Sequence, residues 1–496
     1  MIGVEKKGFL KYIIVQRVHR VIPHEGLDAY MKRLTPQIIA GITGGKYIGK
    51  ESSRDDCVTG VVRDDRDVEK GNLFVCIQGT RSDGHSFANK AFESGAACCL
   101  AEHMIPDAKG PYVLVKSTLE SIKTLGGHYR SLFDIPVIGI TGSVGKTSVK
   151  ELVAAALGAK LNVLKTPGNL NNELGVPLTL LSLDEQYEAA VIEMGISDFG
   201  EMGRLAEIVR PDIFVMTKIG YSHIKELGDL NGVLRAKSEA FAFMKPEGIA
   251  VMNGDDDLLW KYDPGMRKIT FGLDMRNDYR AENVRSEGTE SVLCDIVHDA
   301  AGFQVRIPAY GSHLASLAPA AAAIGRLLGL TDAEISRGLL SYAPVGGRCN
   351  VSHSGGITLI DDCYNANPNS VKAALASLCD LRAGAGRHAG RYVAILGDML
   401  NLSEFSEQMH YETGILAAQS GVGLLICCGA EAAFIHKGFL SAGGKTAHFF
   451  PDKAQLVAAL PGMLRKGDTI LVKASRGMRF EELLPFIYQL LSETTG

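Results

Sequence analysis

The sequence predicts an α/β fold in three domains, the central one carrying a phosphate loop on a mainly parallel sheet. Three observations lead there. Short apolar runs flanked by turn residues alternate with helical periodicities along most of the chain, the pattern of buried parallel strands joined by helical crossovers. Between one such run, PVIGI, and one such helix, SVKELVAAAL, lies GITGSVGKTSVK (139–150), the place a phosphate-binding loop must occupy. At 496 residues the chain is also too long for one core, so about three domains is the natural expectation.

Taken in order, the segment GFLKYIIVQRVHRVIP has an apolar patch broken by Lys11, Arg17, His19 and Arg20, with no small-residue cleavage site after it. Residues 1–30 are therefore expected to be an extension outside the fold. A first domain, 31–133, starts with the helical pattern LTPQIIAGITGG and mixes strands VTGVVRD, GNLFVCIQG, GAACCLAE and YVLVK with helical stretches. A second, 134–345, opens on VIGIT and continues with EAAVIEMG, DIFVMTKIG and GIAVMN, short apolar runs that read as buried parallel strands. Residues 280–310 are polar and alternating, as in an antiparallel excursion. Two helices follow, LASLAPAAAAIGRLLG and TDAEISRGLLSY, the second opened by Thr331 with an acid three residues on. A third, Rossmann-like domain, 346–496, alternates ITLIDD, RYVAILGD, GLLICCG and DTILVKAS with helices, which argues a doubly wound sheet. The string GAGRHA at 384–389 fits a dinucleotide fingerprint but lies between a helix and the next strand, the wrong order for cradling pyrophosphate.

Composition narrows the function. Hydrophobic content of 46% and charge of 22% describe an ordinary globular protein. A net charge of −4, one Trp and dispersed Lys and Arg leave no basic stripe for nucleic acid. No run approaches the roughly 18 apolar residues of a membrane span. The ten cysteines form no C-x-x-C, and Cys98–Cys99 and Cys427–Cys428 lie inside apolar strand-like runs, so a reduced, cytoplasmic setting is expected.

The chemistry gathers around the loop. Residues Thr141 to Ser148 include Gly142 and Gly145, which let the backbone turn, and Ser143 and Val144, whose N–H groups can face a polyphosphate. Lys146 supplies a compact positive charge, and the Thr147 hydroxyl can ligate Mg²⁺. The strict pattern would place its first glycine at Ile140, whereas Gly139 falls one residue early. Glu193 ends the strand EAAVIEMG, where an acid can hold Mg²⁺ beside Thr147 or merely cap the strand. His223 sits in a glycine-containing turn after DIFVMTKIG. Lys237, on the helical stretch LRAKSEAF, would repel a metal as an ammonium but suits a hard cation as a carbamate, with two anionic oxygens. In the third domain, Arg348 in GGRCN could reach a transferring phosphoryl group, and the turn-rich LIDDCYNANPNS could orient a second substrate.

These segments together resemble the Mur ligases of peptidoglycan synthesis. The likeness is carried by GNLFVCIQGTRSDGHSF, TGSVGKTSVKE, TPGNLNNELGVPLTLL, EMGISDFGEMGRL, RAKSEAF, NGDDD, GGR, DDCYNANPNS, LGDM and KASRG, which follow one another in family order over roughly residues 31–485. NLNNELGVP and DDCYNANP point to the branch that adds D-Ala-D-Ala to UDP-N-acetylmuramoyl-tripeptide. The resemblance implies an ATP-dependent amide ligase working through an acyl phosphate, with ATP and two Mg²⁺ ions and with the chain acting as a monomer. It implies ATP and metal roles for Lys146, Thr147, Glu193 and Asn253, second-metal roles for His223 and carbamylated Lys237, and γ-phosphate contact for Arg348. Asp362, Asn365 and Asn367 would lie between nucleotide and amine. Asp64, Arg66, Thr80, Asp83 and His85 would line the UDP-sugar site, with Asn171 and Asn172 nearer the peptide. The chain departs from the family pattern at Lys218 and Leu314, where asparagine is usual, and at Leu317, where an asparagine ordinarily helps bind adenosine. It departs again at Asn401 and Ser403. These departures keep two other readings open: a paralogue with another amine acceptor, and a nucleotide-binding regulator without turnover.

Overall fold

The computed structural model describes residues 31, 34–79, 82–299, 301–354, 356–384 and 390–493. The expected extension at 1–30, Thr80 and positions 385–389 of the glycine-rich string lie outside them.

Three sheets stand in chain order. The first contains β1 (Lys46–Ile48), β2 (Val61–Val62), β3 (Leu73–Val75), β4 (Cys98–Ala101) and β5 (Tyr112–Leu114), ordered β1-β5-β4-β3-β2. It is parallel apart from β1, which the apolar pattern did not announce because it is three residues long and partly exposed. VTGVVRD yields only the two paired residues of β2.

The second sheet has nine strands: β6 (Val137–Thr141), β7 (Val163–Lys165), β8 (Ala189–Glu193), β9 (Ile213–Met216), β10 (Ile249–Asn253), β11 (Arg267–Gly272), β12 (Tyr279–Glu287), β13 (Ser291–His298) and β14 (Ala301–Ile307). Their order is β14-β13-β12-β11-β10-β9-β6-β8-β7. β6 and β8 to β10 are buried along their whole length, as strands covered on both faces must be. The polar stretch 280–310 is the antiparallel β12–β13–β14 extension, and Thr331 and Glu334 close a full capping box. The third sheet joins β15 (Asn350–Ser354), β16 (Ile357–Asp361), β17 (Tyr392–Gly397), β18 (Leu424–Cys428), β19 (Ala447–Phe450) and β20 (Thr469–Lys473) in the order β15-β16-β20-β17-β18-β19. Only β15 runs antiparallel.

The sheets are tied by packing. Helix Thr118–Ser131 places Ile122, Leu125 and Tyr129 in one core with Leu73 and Val113 of the first sheet and Ile192 and Phe214 of the second. Tyr310, just before helix His313–Leu327, inserts into the core of the third sheet among Leu375, Leu378 and Tyr392, and its hydroxyl is buried with no hydrogen-bond partner among the described residues. Ser312 hydrogen-bonds Asp380 on helix Pro368–Gly384 beside it. Among the described residues no helix is long and apolar enough to cross a membrane. All ten cysteines are unpaired, and those in β4 and β18 are buried as small apolar residues.

Candidate active site

The carboxyl ends of β6, β8, β9 and β10 meet the ends of β16 and β20 across one cavity of about 1160 Å³. All three sheet regions contribute to its lining, the first through the stretch around Gln78 and Glu102.

The loop after β6 is built by two glycines. Gly142 has φ +149° and Gly145 φ +87°, the second capping helix Lys146–Leu157. A Cβ on Gly142 would lie 2.0 Å from Thr217 Oγ1, so crowding as well as conformation excludes any side chain there. Gly139, the early glycine, lies within β6, where a Cβ would press on Met194 and Phe214 at 3.0 Å. It serves packing. Lys146 Nζ donates to Gly142 O at 2.7 Å. Burial pulls this ammonium below its ordinary pKa, Glu193 pushes it back up, and Arg348 lowers it further.

Glu193 is the hub of the neighbouring strand end. Its Oε2 accepts from Thr147 Oγ1 at 2.9 Å, and its Oε1 accepts from Asn171 Nδ2 at 2.8 Å. Thr166 Oγ1 accepts its backbone N–H at 2.9 Å. Lys150, fully buried, sits 3.8 Å from Oε2 and donates to the carbonyls of Thr166 (2.8 Å) and Gly168 (3.3 Å). Lys150 was missed at the sequence level, although a lysine on the apolar face of a helix following the loop was its visible signal. Asn171 thus serves the carboxylate rather than standing free for a peptide, and Asn172 caps the next turn by accepting from Gly175 N at 2.8 Å. Both still line the cavity.

His223 has φ +57° and precedes the short helix Ile224–Leu227. Burial, then the charges of Lys237 and Lys146, lower its pKa. Lys237, on helix Leu230–Ser238, is 2% exposed and has no hydrogen-bond or ion-pair partner among the described residues. Burial draws its pKa well below the usual lysine value, and Lys146 adds to the effect.

From the third region, the Arg348 guanidinium lies 4.1 Å from the Tyr364 ring centre and lines the same cavity as Lys146. Asp362 is bound by Lys473 at 2.5 Å, and the same ammonium donates to Asn365 O at 3.0 Å. Lys473 was also missed; a lysine ending the apolar run DTILVK was the available clue. Asn367 reaches back to the second region, donating to Ser222 Oγ at 3.1 Å. Asn253 donates to Thr217 O at 2.8 Å at the end of β10.

Four expected residues of the first region lie outside the cavity lining. Asp64 and Arg66 pair with each other at the surface, Arg66 Nε donating at 2.8 Å, and these bonds hold the Asp64 carboxyl well below its usual range. His85 Nε2 accepts from Glu102 N at 2.8 Å, so its proton sits on Nδ1 and is donated to Asp83 Oδ1 at 2.6 Å. His85's backbone N–H and ring lower the Asp83 pKa. The departures are visible too. Leu314 and Leu317 line the cavity, Leu317 at 3.5 Å from a Cβ built on Gly145. Asn401 and Ser403 both hold left-handed backbone, φ +64° and +49°, a conformation asparagine tolerates better than serine.

Comparison with known proteins agrees across the chain. Residues 58–122 match the Mur ligase family catalytic domain, 140–325 the Mur ligase middle domain, and 347–476 the Mur ligase glutamate ligase domain. A UDP-N-acetylmuramoyl-tripeptide–D-alanyl-D-alanine ligase of Bacillus subtilis is 36% identical over 86% of this chain and 92% of its own. The Escherichia coli ligase of the same name is 35% identical over 88% and 95%. Among solved structures, MurF from Acinetobacter baumannii superposes with TM-score 0.82 at 28% identity, covering 92% of this chain and 99% of that one. MurF from Thermotoga maritima in complex with ADP gives 0.76 at 29% identity, over 88% and 98%.

Proposed function

This chain belongs to the Mur ligase family and is an ATP-dependent, peptide-bond-forming ligase; from that premise we propose that it adds D-alanyl-D-alanine to UDP-N-acetylmuramoyl-tripeptide in the cytoplasmic synthesis of peptidoglycan precursors. The observation that carries the reading is convergence. Lys146, Thr147 and Glu193 from the second region, Arg348, Asp362 and Asn367 from the third, and Gln78 from the first share one cavity.

In this reading the tripeptide's terminal carboxylate oxygen attacks the γ-phosphorus of ATP and ADP leaves. The dipeptide amine then attacks the acyl carbon, loses a proton, and phosphate departs. Two anions must approach, so positioning and charge neutralisation dominate. Lys146 and the loop N–H groups hold the phosphates. Arg348, oriented by Tyr364, meets the charge on the transferring group. Asn367 fixes the third region against the second by its bond to Ser222 and, with Asn365, places the amine. Asp64, Arg66, Asp83 and His85 are proposed for the UDP-sugar, Asp83 and His85 lying next to the cavity-lining Gln78 and Glu102, and Asn171 and Asn172 for the peptide.

The donors fit magnesium. Thr147 hydroxyl and Glu193 carboxylate are hard oxygens side by side at the loop and would hold one ion. A second would take His223 and Lys237, the latter as a carbamate, supported by burial of an amine with no acid partner among the described residues. When bound, the metal neutralises phosphate charge.

The test is phosphate release by purified protein given the tripeptide substrate, ATP and Mg²⁺, offered D-Ala-D-Ala or a panel of other amines. Release with D-Ala-D-Ala alone is expected. Release only with a different amine would replace the acceptor, and no release with any would remove the ligase reading.

A further inference from the structure

We infer that Arg476, in the motif KASRG at the end of β20, binds the free carboxylate of the incoming dipeptide. The inference rests on the proposed reaction and concerns the far end of its amine substrate.

D-Ala-D-Ala brings its amine to the acyl phosphate and carries a carboxylate that stays charged throughout. An extended residue spans about 3.5 Å, so the acceptor site needs a cation roughly 7 Å beyond the point where the amine attacks. The lysines and arginines that line the cavity are Lys146, Lys218, Arg348 and Lys473. Lys146 belongs to the phosphate loop, and Arg348 meets the transferring group. Lys473 is spent on Asp362 Oδ2 and Asn365 O. Lys218 follows β9 in the second region, where its carbonyl accepts from Ser143 N of the phosphate loop at 2.8 Å.

Arg476 stands just outside that lining, on the third region's side. Its guanidinium carbon lies 5.6 Å from the centre of the Tyr364 ring, the same ring that Arg348 approaches at 4.1 Å. One aromatic side chain of the cavity wall thus holds both cations, no farther apart than those two distances together, a gap that a dipeptide of about 7 Å suits. The Arg476 backbone N–H donates to Asn365 Oδ1 at 3.2 Å. The residue proposed to place the amine and the one assigned here to the carboxylate are therefore bonded to each other. The Arg476 side chain is 62% exposed, and its Nη1 donates to Glu481 Oε1 at 2.9 Å. Its Nε and Nη2 have no hydrogen-bond partner among the described residues. Those two N–H groups form the edge on which a guanidinium grips a carboxylate through two parallel bonds. The exposed pair with Glu481 contributes little by itself and leaves that edge open.

The experiment measures phosphate release by the full chain with Mg·ATP and UDP-N-acetylmuramoyl-tripeptide saturating, and with D-Ala-D-Ala or its C-terminal amide as acceptor. The native protein should favour the free acid by at least about tenfold in kcat/KM, mainly through the acceptor's KM. Arg476→Met should erase that preference by weakening D-Ala-D-Ala alone, leaving the amide's kcat/KM and the KM for ATP as they were. An arginine with a merely structural role would lower both acceptors together. A smaller preference in the native protein, or one that survives in Arg476→Met, overturns the inference. Should that variant fail to fold, Arg476→Gln is judged by the same ratio. Should the native protein release phosphate with neither acceptor, the proposed reaction falls instead. Calorimetric Kd values of native and variant protein with Mg·ADP for the dipeptide and its amide then decide, and native binding that ignores the carboxylate overturns the inference.

Discussion

In the second region a buried lysine, Lys237 on helix Leu230–Ser238, has no acid partner among the described residues; at the mouth of the third sheet, Lys473 is clasped by Asp362 at 2.5 Å. Both are almost fully buried, yet the two regions use the residue differently. In the third, charge is a fixture, holding the strand end of β20 against the loop after β16. In the second, burial presses an amine toward neutrality, the state that the proposed carbamate requires. On that proposal, burial alone does not tell a structural cation from a reactive one. The partner does.

The sharpest way to break this contrast is Lys237→Met. Turnover should fall by at least about a thousandfold, while the unliganded protein melts at a higher temperature because an unpaired buried amine has gone. Carbon-13 NMR with labelled CO₂ should show a carbamate signal in the native protein and none in the variant; undiminished turnover would put Lys237 outside the chemistry. Lys473→Met should do the reverse, lowering stability by about 3–5 kcal/mol in urea denaturation by stranding Asp362. Adding Asp362→Leu should recover most of that loss in stability, and failure to recover it would mean the pair is no fixture.

Smaller effects sharpen the comparison. Arg348→Lys keeps the charge but loses the flat stack on Tyr364, so kcat should drop about a hundredfold with nucleotide affinity little changed. A change confined to the nucleotide KM would place Arg348 elsewhere. Asn367→Ala removes its bonds to Ser222 and Ser143 and the one it accepts from Ser370 N at the start of helix Pro368–Gly384, so kcat should fall several-fold and stability by about 1 kcal/mol in urea denaturation.

Much of this was legible beforehand, for identifiable reasons. The fully buried strands β6, β8, β9 and β10 announce themselves as apolar runs, and the Thr331 capping box is written in four residues. β1, β7, β11, β15 and β19 went unannounced; β1 and β7 are three residues long, and β15 and β19 lie at sheet edges with little burial to pattern. Thr147 and Glu193 could be paired from sequence because one follows a glycine turn and the other ends a strand. Lys150 and Lys473 could not, since their roles depend on carbonyls and carboxylates distant in the chain. Asp64 and Arg66 show the converse. The family resemblance implied that both line the UDP-sugar site, and the structure has them paired with each other.

The Tyr310 hydroxyl is shut inside the third region's core with no hydrogen-bond partner among the described residues. Seating this side chain there costs about 1–3 kcal/mol for the lost water, a toll charged at the seam between the second and third regions. A phenylalanine at the same place would keep the packing without that cost.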